Sequence, residues 1–246
     1  MKKIYYSLSI GFILLSLSSC ELGLDFLNPA GHTREEKRPI LTKIARIVVS
    51  DDVVVDIHFT NGEQYAIVKA GDNIMKDIKT SIADSTISIG DNSKFTWTSS
   101  YKNTKKVTLY INSTLTELYY YGIGDITVLD TIKTNSFIYD CKESSGKVQF
   151  MLVANSCNIN QNSGISDLTI NGRCNNATVY YKGTGWVYLN NFRTQSMNVT
   201  NNGSGDIFVN VTNTLSATIK SIGNIKYLGT PQITFVKEGK GNLVPN

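Results

Sequence analysis

The sequence predicts an all-β fold, a β-helix or β-solenoid with about 20 residues per coil. Two observations predict it: a seven-fold recurrence of paired small residues, and apolar columns that keep step with it. The pairs are Gly122-Ile123-Gly124, Ser144-Ser145-Gly146, Gly164-Ile165-Ser166, Gly183-Thr184-Gly185, Gly203-Ser204-Gly205, Ser221-Ile222-Gly223 and Gly239-Lys240-Gly241. Their second members are 22, 20, 19, 20, 18 and 18 residues apart in succession. Two positions after each stand Ile126, Val148, Leu168, Val187, Ile207, Ile225 and Leu243, and four positions after stand Val128, Phe150, Ile170, Leu189, Val209, Tyr227 and Pro245. The residues between are mixed, which is the alternation of a half-buried strand. A coil this short cannot close a core alone, so successive coils must stack and share one.

A leader comes first. Met1-Lys2-Lys3 is a basic head, and Leu8 to Ser19 is an apolar and small-residue stretch. That stretch is too short for a permanent bilayer span, which needs about 20 apolar residues, and fits a secretory signal over residues 1–19. It ends in Leu17-Ser18-Ser19-Cys20, which resembles a bacterial lipobox. That resemblance implies acylation of Cys20, which would become the mature first residue. The expected localisation is the cell envelope, anchored by lipid to the outer membrane, on its periplasmic face or at the cell surface. Residues 20–39 are polar, carry Pro29, Gly31 and the run Arg34-Glu35-Glu36-Lys37-Arg38, and read as a lipidated tether.

The folded domain is expected over residues 40–246, with the repeats starting at about 116. Before them, Ile44 to Val49, Val53 to Phe59 and Tyr65 to Val68 are β-branched runs, the last after an Asn61-Gly62 turn. Ile74 to Ile78 fits one helical turn after Gly71-Asp72-Asn73. Further strands are expected at Thr86 to Ile89 and Val107 to Ile111, either continuing the solenoid or capping its end against exposed sheet edges. Within the repeats, a second strand precedes each pair, with Leu118, Val179, Val199, Ala217 and Phe235 in one column. Asp140 and Asn160 break that column, so Tyr139 and Ile159 are expected to replace them after a one-residue shift. Gly124, Gly146, Gly185, Gly205, Gly223 and Gly241 are expected at corners, where positive φ costs glycine nothing. Asp125, Asp167, Asp206, Asn224 and Asn242 each follow one of the small-residue pairs and can bond local backbone.

Composition narrows function without naming it. The formal net charge of +4 includes Lys2 and Lys3, so the mature side chains come to about +2, too little to suggest nucleic acid as a partner. With Cys20 given to lipid, Cys141, Cys157 and Cys174 remain; they read either as small core hydrophobes or as a Cys157–Cys174 bridge. Neither they nor His32 and His58 are spaced as a metal site, and no cofactor is implied. Asp125, Asp167 and Asp206 could be imagined as a catalytic or calcium-binding group. Lys147 and Trp186 lie between them, however, and neighbours two coils apart are about 10 Å apart.

Taken together, this order of motifs resembles the head GIN domain family, also called "putative auto-transporter adhesin". The resemblance runs from about Ala45 to Leu243. It rests on the opening hydrophobic strands, Gly71-Asp72-Asn73 before Ile82, the Gly-x-Gly-Asp-Ile units at Gly122 and Gly203, and the closing Ile222-Gly223-Asn224-Ile225-Lys226-Tyr227-Leu228-Gly229-Thr230-Pro231. It implies a β-helical lipoprotein or secreted protein of Bacteroidota-type bacteria, and brings no catalytic residues. The leading functional expectation is a non-catalytic adhesion or ligand-binding module for glycan or envelope protein. Its candidate ligand face is Tyr119, Tyr121, Tyr180, Tyr181, Trp186 and Tyr188. The alternatives are an envelope-sensing or structural module and, less favoured, a polysaccharide-active enzyme.

Overall fold

The computed structural model describes residues 30–93 and 105–246. The expected leader, Cys20 and the first part of the tether lie outside the described residues.

The first strand departs from expectation. β1 (Thr33–Ile40) occupies what the sequence suggests is the end of the tether. Its eight residues pair antiparallel with β4 (Gln64–Gly71) from Thr33 opposite Gly71 to Ile40 opposite Gln64. The charged run that reads as a tether is held in place: Glu35 meets Lys69 of β4 at 3.1 Å, and Arg38 donates to the Ile78 carbonyl, outside this pair, at 2.6 Å. Charged side chains on an edge strand also keep that edge from pairing with other chains.

Two sheets grow from this region. β2 (Arg46–Asp51) lies parallel between β6 (Thr86–Asp91) and β8 (Glu117–Gly122), and β5 (Ile78–Ala83) closes that sheet antiparallel on β6. β3 (Val54–Phe59) lies parallel to β7 (Lys106–Ile111), on which β4 packs antiparallel. One 3-10 turn, Met75–Asp77, stands where the sequence suggests a helical turn. The parallel strands continue the solenoid and the antiparallel ones end it, so both expectations for this region apply to different strands. Lys105 meets Asp91 at 2.5 Å with both side chains buried.

The stack itself is built from β9 (Ile126–Cys141), β10 (Lys147–Gln161), β11 (Asp167–Tyr181), β12 (Val187–Asn201) and β13 (Ile207–Ile219). It finishes with β14 (Ile225–Leu228), β15 (Gln232–Lys237) and β16 (Leu243–Pro245). Each pairs in parallel with the strand one coil away. Interruptions of the ladder divide each long strand into three segments, which in β10 are Val148–Gln149, Met151–Ala154 and Ser156–Gln161. These form three walls around one core. The first wall continues β3 through Val55 opposite Ile126, and the third continues β8 through Leu118 opposite Tyr139.

The aliphatic column after the small pairs lies inside: Ile126, Val148, Leu168, Val187, Ile207 and Ile225 are all buried. On the third wall Leu118, Tyr139, Ile159, Val179, Val199, Ala217 and Phe235 form one register column, so Tyr139 and Ile159 do fill the two broken positions.

Candidate functional site

The corners between third and first wall carry the repeated glycines, and the reason for glycine there differs from the expected one. None of Gly124, Gly146, Gly185, Gly205, Gly223 and Gly241 has positive φ. A Cβ on any of them would instead collide with the corner of the coil before, for example with the carbonyl oxygens of Val53 at Gly124 and Gly185 at Gly205. Close approach of backbone to backbone selects glycine.

Stacked corners leave carbonyl and N–H groups inside, and the polar members Tyr120, Gln161, Tyr181 and Asn201 of one interior column bond to them. Tyr120, Cys141, Gln161, Tyr181, Asn201 and Ile219 follow one another in register at the end of the third wall. The Tyr120 hydroxyl donates to the Gly124 carbonyl and accepts the Gly146 N–H, each at 2.9 Å. Tyr181 donates to the Gly185 carbonyl, Asn201 Nδ2 to the Gly205 carbonyl at 3.0 Å, and Gln161 Nε2 to the Ser166 carbonyl at 2.6 Å. Burial is the main cause that pushes the Tyr120 and Tyr181 hydroxyls above the usual tyrosine range, keeping them protonated donors.

The polar residues after the glycines form a second ladder outside. Asp125 Oδ1 accepts the Lys147 N–H at 2.8 Å, Asp167 the Trp186 N–H at 2.8 Å, Asp206 the Asn224 N–H at 2.9 Å, and Asn224 Oδ1 the Asn242 N–H at 2.9 Å. Each acceptor thus holds the equivalent residue of the next coil, a role that Asp and Asn both fill. Among the described residues, no three His, Cys, Asp or Glu side chains are grouped to hold a metal ion. Cys141, Cys157 and Cys174 are buried free thiols, and Cys141 Sγ lies 2.6 Å from Ser144 Oγ in an interior polar cluster with Ser166.

The six aromatic candidates do not share one face. Tyr181 is a correction: it is fully buried, spent on the corner carbonyl, and cannot meet a ligand from outside. Tyr119, Tyr121 and Tyr180 point outward from the third wall. Tyr119 and Tyr121 have ring centroids 6.3 Å apart, with the Arg46 guanidinium 5.4 Å from the Tyr119 ring. Tyr180 is half-buried between Asn160 and Thr200.

Trp186 and Tyr188 stand on the first wall and join Phe208, which is not among the six candidates. Tyr188 and Phe208 stack at 5.2 Å and 15°, and Trp186 tilts against them at 5.9 and 6.1 Å. The Lys226 ammonium lies 4.8 Å from the Phe208 ring centre and 3.0 Å from Asp206, so the platform ends in an ion pair. Trp186 is 48% exposed in spite of its size. A second outward stack, His58, Tyr110 and Tyr65, with centroids 5.0 and 4.7 Å apart, lies on the strands that extend the same wall.

Comparison with known proteins gives matching results. A family model described as "Putative auto-transporter adhesin, head GIN domain" matches residues 45–231. No curated protein matches the chain. Among solved structures, a "putative adhesin" from Bacteroides fragilis NCTC 9343 has a TM-score of 0.79 at 21% identity over 89% of this chain and 99% of that one. A "putative adhesin" from Parabacteroides distasonis ATCC 8503 has a TM-score of 0.65 at 17% identity, covering 89% and 99%. A "putative lipid binding protein" from the same organism has a TM-score of 0.59 at 17% identity, covering 88% and 98%. At these identities the likeness is one of fold.

Proposed function

Since the chain belongs to the head GIN domain family, whose model covers residues 45–231, we propose that it is a non-catalytic adhesion module, held at the cell envelope by lipid on Cys20, that binds glycan along the first wall of its solenoid. The observation that carries this reading is the Trp186–Tyr188–Phe208 platform. Aromatic rings bury large area at little entropic cost, and their faces suit the C–H surfaces of sugar rings. A large exposed aromatic group on a rigid wall has no structural task that would keep it in water. The corner carboxylates, by contrast, are occupied by backbone N–H groups of the next coil, which supports a role without catalysis.

The test is a glycan array and pull-down with the mature protein beside a Trp186→Ala/Tyr188→Ala variant. Both side chains lie outside the core, so the variant keeps the fold. Loss of glycan signals by about tenfold or more is expected, since anchor residues of this type are each worth about 2 kcal/mol or more. Equal binding by the two proteins overturns the platform as the binding site.

A further inference from the structure

On the second wall two arginines stand side by side with no partner. Arg173 and Arg193 face each other in register on β11 and β12, and both are exposed. Among the described residues neither guanidinium has a hydrogen bond or an ion pair. Lys133 lies on the same register column, two strands before Arg173. The other outward residues beside them, including Asn171, Asn191, Asn210 and Thr212, are uncharged. Asp130, at the bend that opens this wall on β9, accepts the Phe59 N–H at 2.8 Å. Like charges on neighbouring strands, about 4.8 Å apart, repel and destabilise a sheet. Nothing in the fold uses the pair to offset that repulsion. Both arginines line a shallow pocket of about 350 Å³, together with Cys174, Asn175, Thr194, Gln195, Thr212 and Asn213.

We propose that this pocket binds the carboxylate-bearing sugars of an acidic polysaccharide. Guanidinium groups pair with carboxylates through two parallel N–H donors, and a carboxylate placed between Arg173 and Arg193 would replace their repulsion with attraction. The surrounding amides and hydroxyls supply donors and acceptors for sugar hydroxyl groups. An anionic membrane surface also attracts cations, but interfacial binding draws on apolar side chains that enter the acyl boundary, and the pocket offers amides and hydroxyls in that place. The inference rests on the adhesion reading for the polymeric nature of the ligand. Its residues are separate from the Trp186 platform.

The test uses the full mature protein reconstituted in phosphatidylcholine nanodiscs, with polygalacturonate, dextran and phosphatidylglycerol vesicles as probes. Saturable polygalacturonate binding that weakens with salt is expected. It should fall about tenfold or more in Arg173→Gln/Arg193→Gln, as expected for lost hydrogen bonds to a charged group, and less in Arg173→Lys/Arg193→Lys. Unchanged affinity in the glutamine variant overturns the proposal. Failure to bind polygalacturonate also overturns it, whether or not the vesicles are bound. If array glycans still bind through Trp186 while polygalacturonate does not, the acidic-ligand inference fails and the adhesion reading stands; if neither binds, both fail.

Discussion

Tyr120 holds Gly146 across a coil boundary: the tyrosine oxygen accepts the glycine N–H at 2.9 Å while its proton goes to the Gly124 carbonyl, also at 2.9 Å. One hydroxyl thereby satisfies a donor of one coil and an acceptor of another. Tyr120→Phe keeps the ring in the core and strands both groups. Each buried orphan costs about 1–3 kcal/mol, so the urea midpoint should fall with little change in slope. An unchanged midpoint would show that the corner finds other partners.

The corner glycines answer to space, and this separates them from glycines elsewhere. Gly205→Ala places a methyl group on the Gly185 carbonyl, while the nearest atom to a methyl group at Gly62 is Thr60 Oγ1 at 3.7 Å. Gly205→Ala should cost about 1–3 kcal/mol through backbone displacement, whereas Gly62→Ala should leave the melting temperature within a few degrees. Thermal unfolding of the two variants side by side checks both.

Acid should loosen the corner ladder at Asp206. Burial alone would raise this carboxyl's pKa, but the Asn224 N–H, Lys226 and the Asn224 amide outweigh it and hold the group below the usual carboxylate range. A folded-state pKa lower than the unfolded one means stability that is present above the unfolded value, near 4. That stability is lost as pH falls through the folded value. Asp206→Asn keeps an acceptor for the Asn224 N–H, as Asn224 does for Asn242 at 2.9 Å. It should therefore unfold less steeply with acid below about pH 4, and at pH 7 it should be less stable than the wild type because it lacks the charge and its ion pair with Lys226. A melting-temperature profile from pH 2 to 7 decides this.

Anchoring through Cys20 predicts that cells fed an alkyne-tagged palmitate label the wild-type chain, and that Cys20→Ser abolishes the label and leaves the leader uncleaved. Labelling of the serine variant would show that acylation lies elsewhere.

The periodic part of the fold was legible because stacking repeats one geometric demand at each coil. The aliphatic column after the glycines and the Tyr139 and Ile159 replacements could therefore be read from spacing alone. Parity should also have placed Tyr181 inside, since it lies two residues after the inward Val179 and Tyr180 therefore points out. Aromatic character alone does not tell which side of a wall a residue faces; its column does. Phe208 is 20 residues beyond Tyr188 and was open to the same reasoning. The His58–Tyr110–Tyr65 stack was beyond reach, because β3, β7 and β4 pair out of chain order and no period links them. β1 is not legible in the sequence, because a charged run resembles a linker until its partner strand is known.

That strand has a mechanical consequence. If the protein is tethered at Cys20 and grips its ligand along a wall, any tension between cell and target reaches β1 through Thr33. Thr33 stands at one end of eight registered pairs with β4. A pull along the strand loads those pairs together in shear, whereas a sideways pull opens them one at a time from Thr33. The ion pairs Arg34–Asp72 and Glu35–Lys69 lie at the end where sideways peeling would start. The resistance of the attachment to flow would then depend on the direction of the force as well as on the affinity of the ligand.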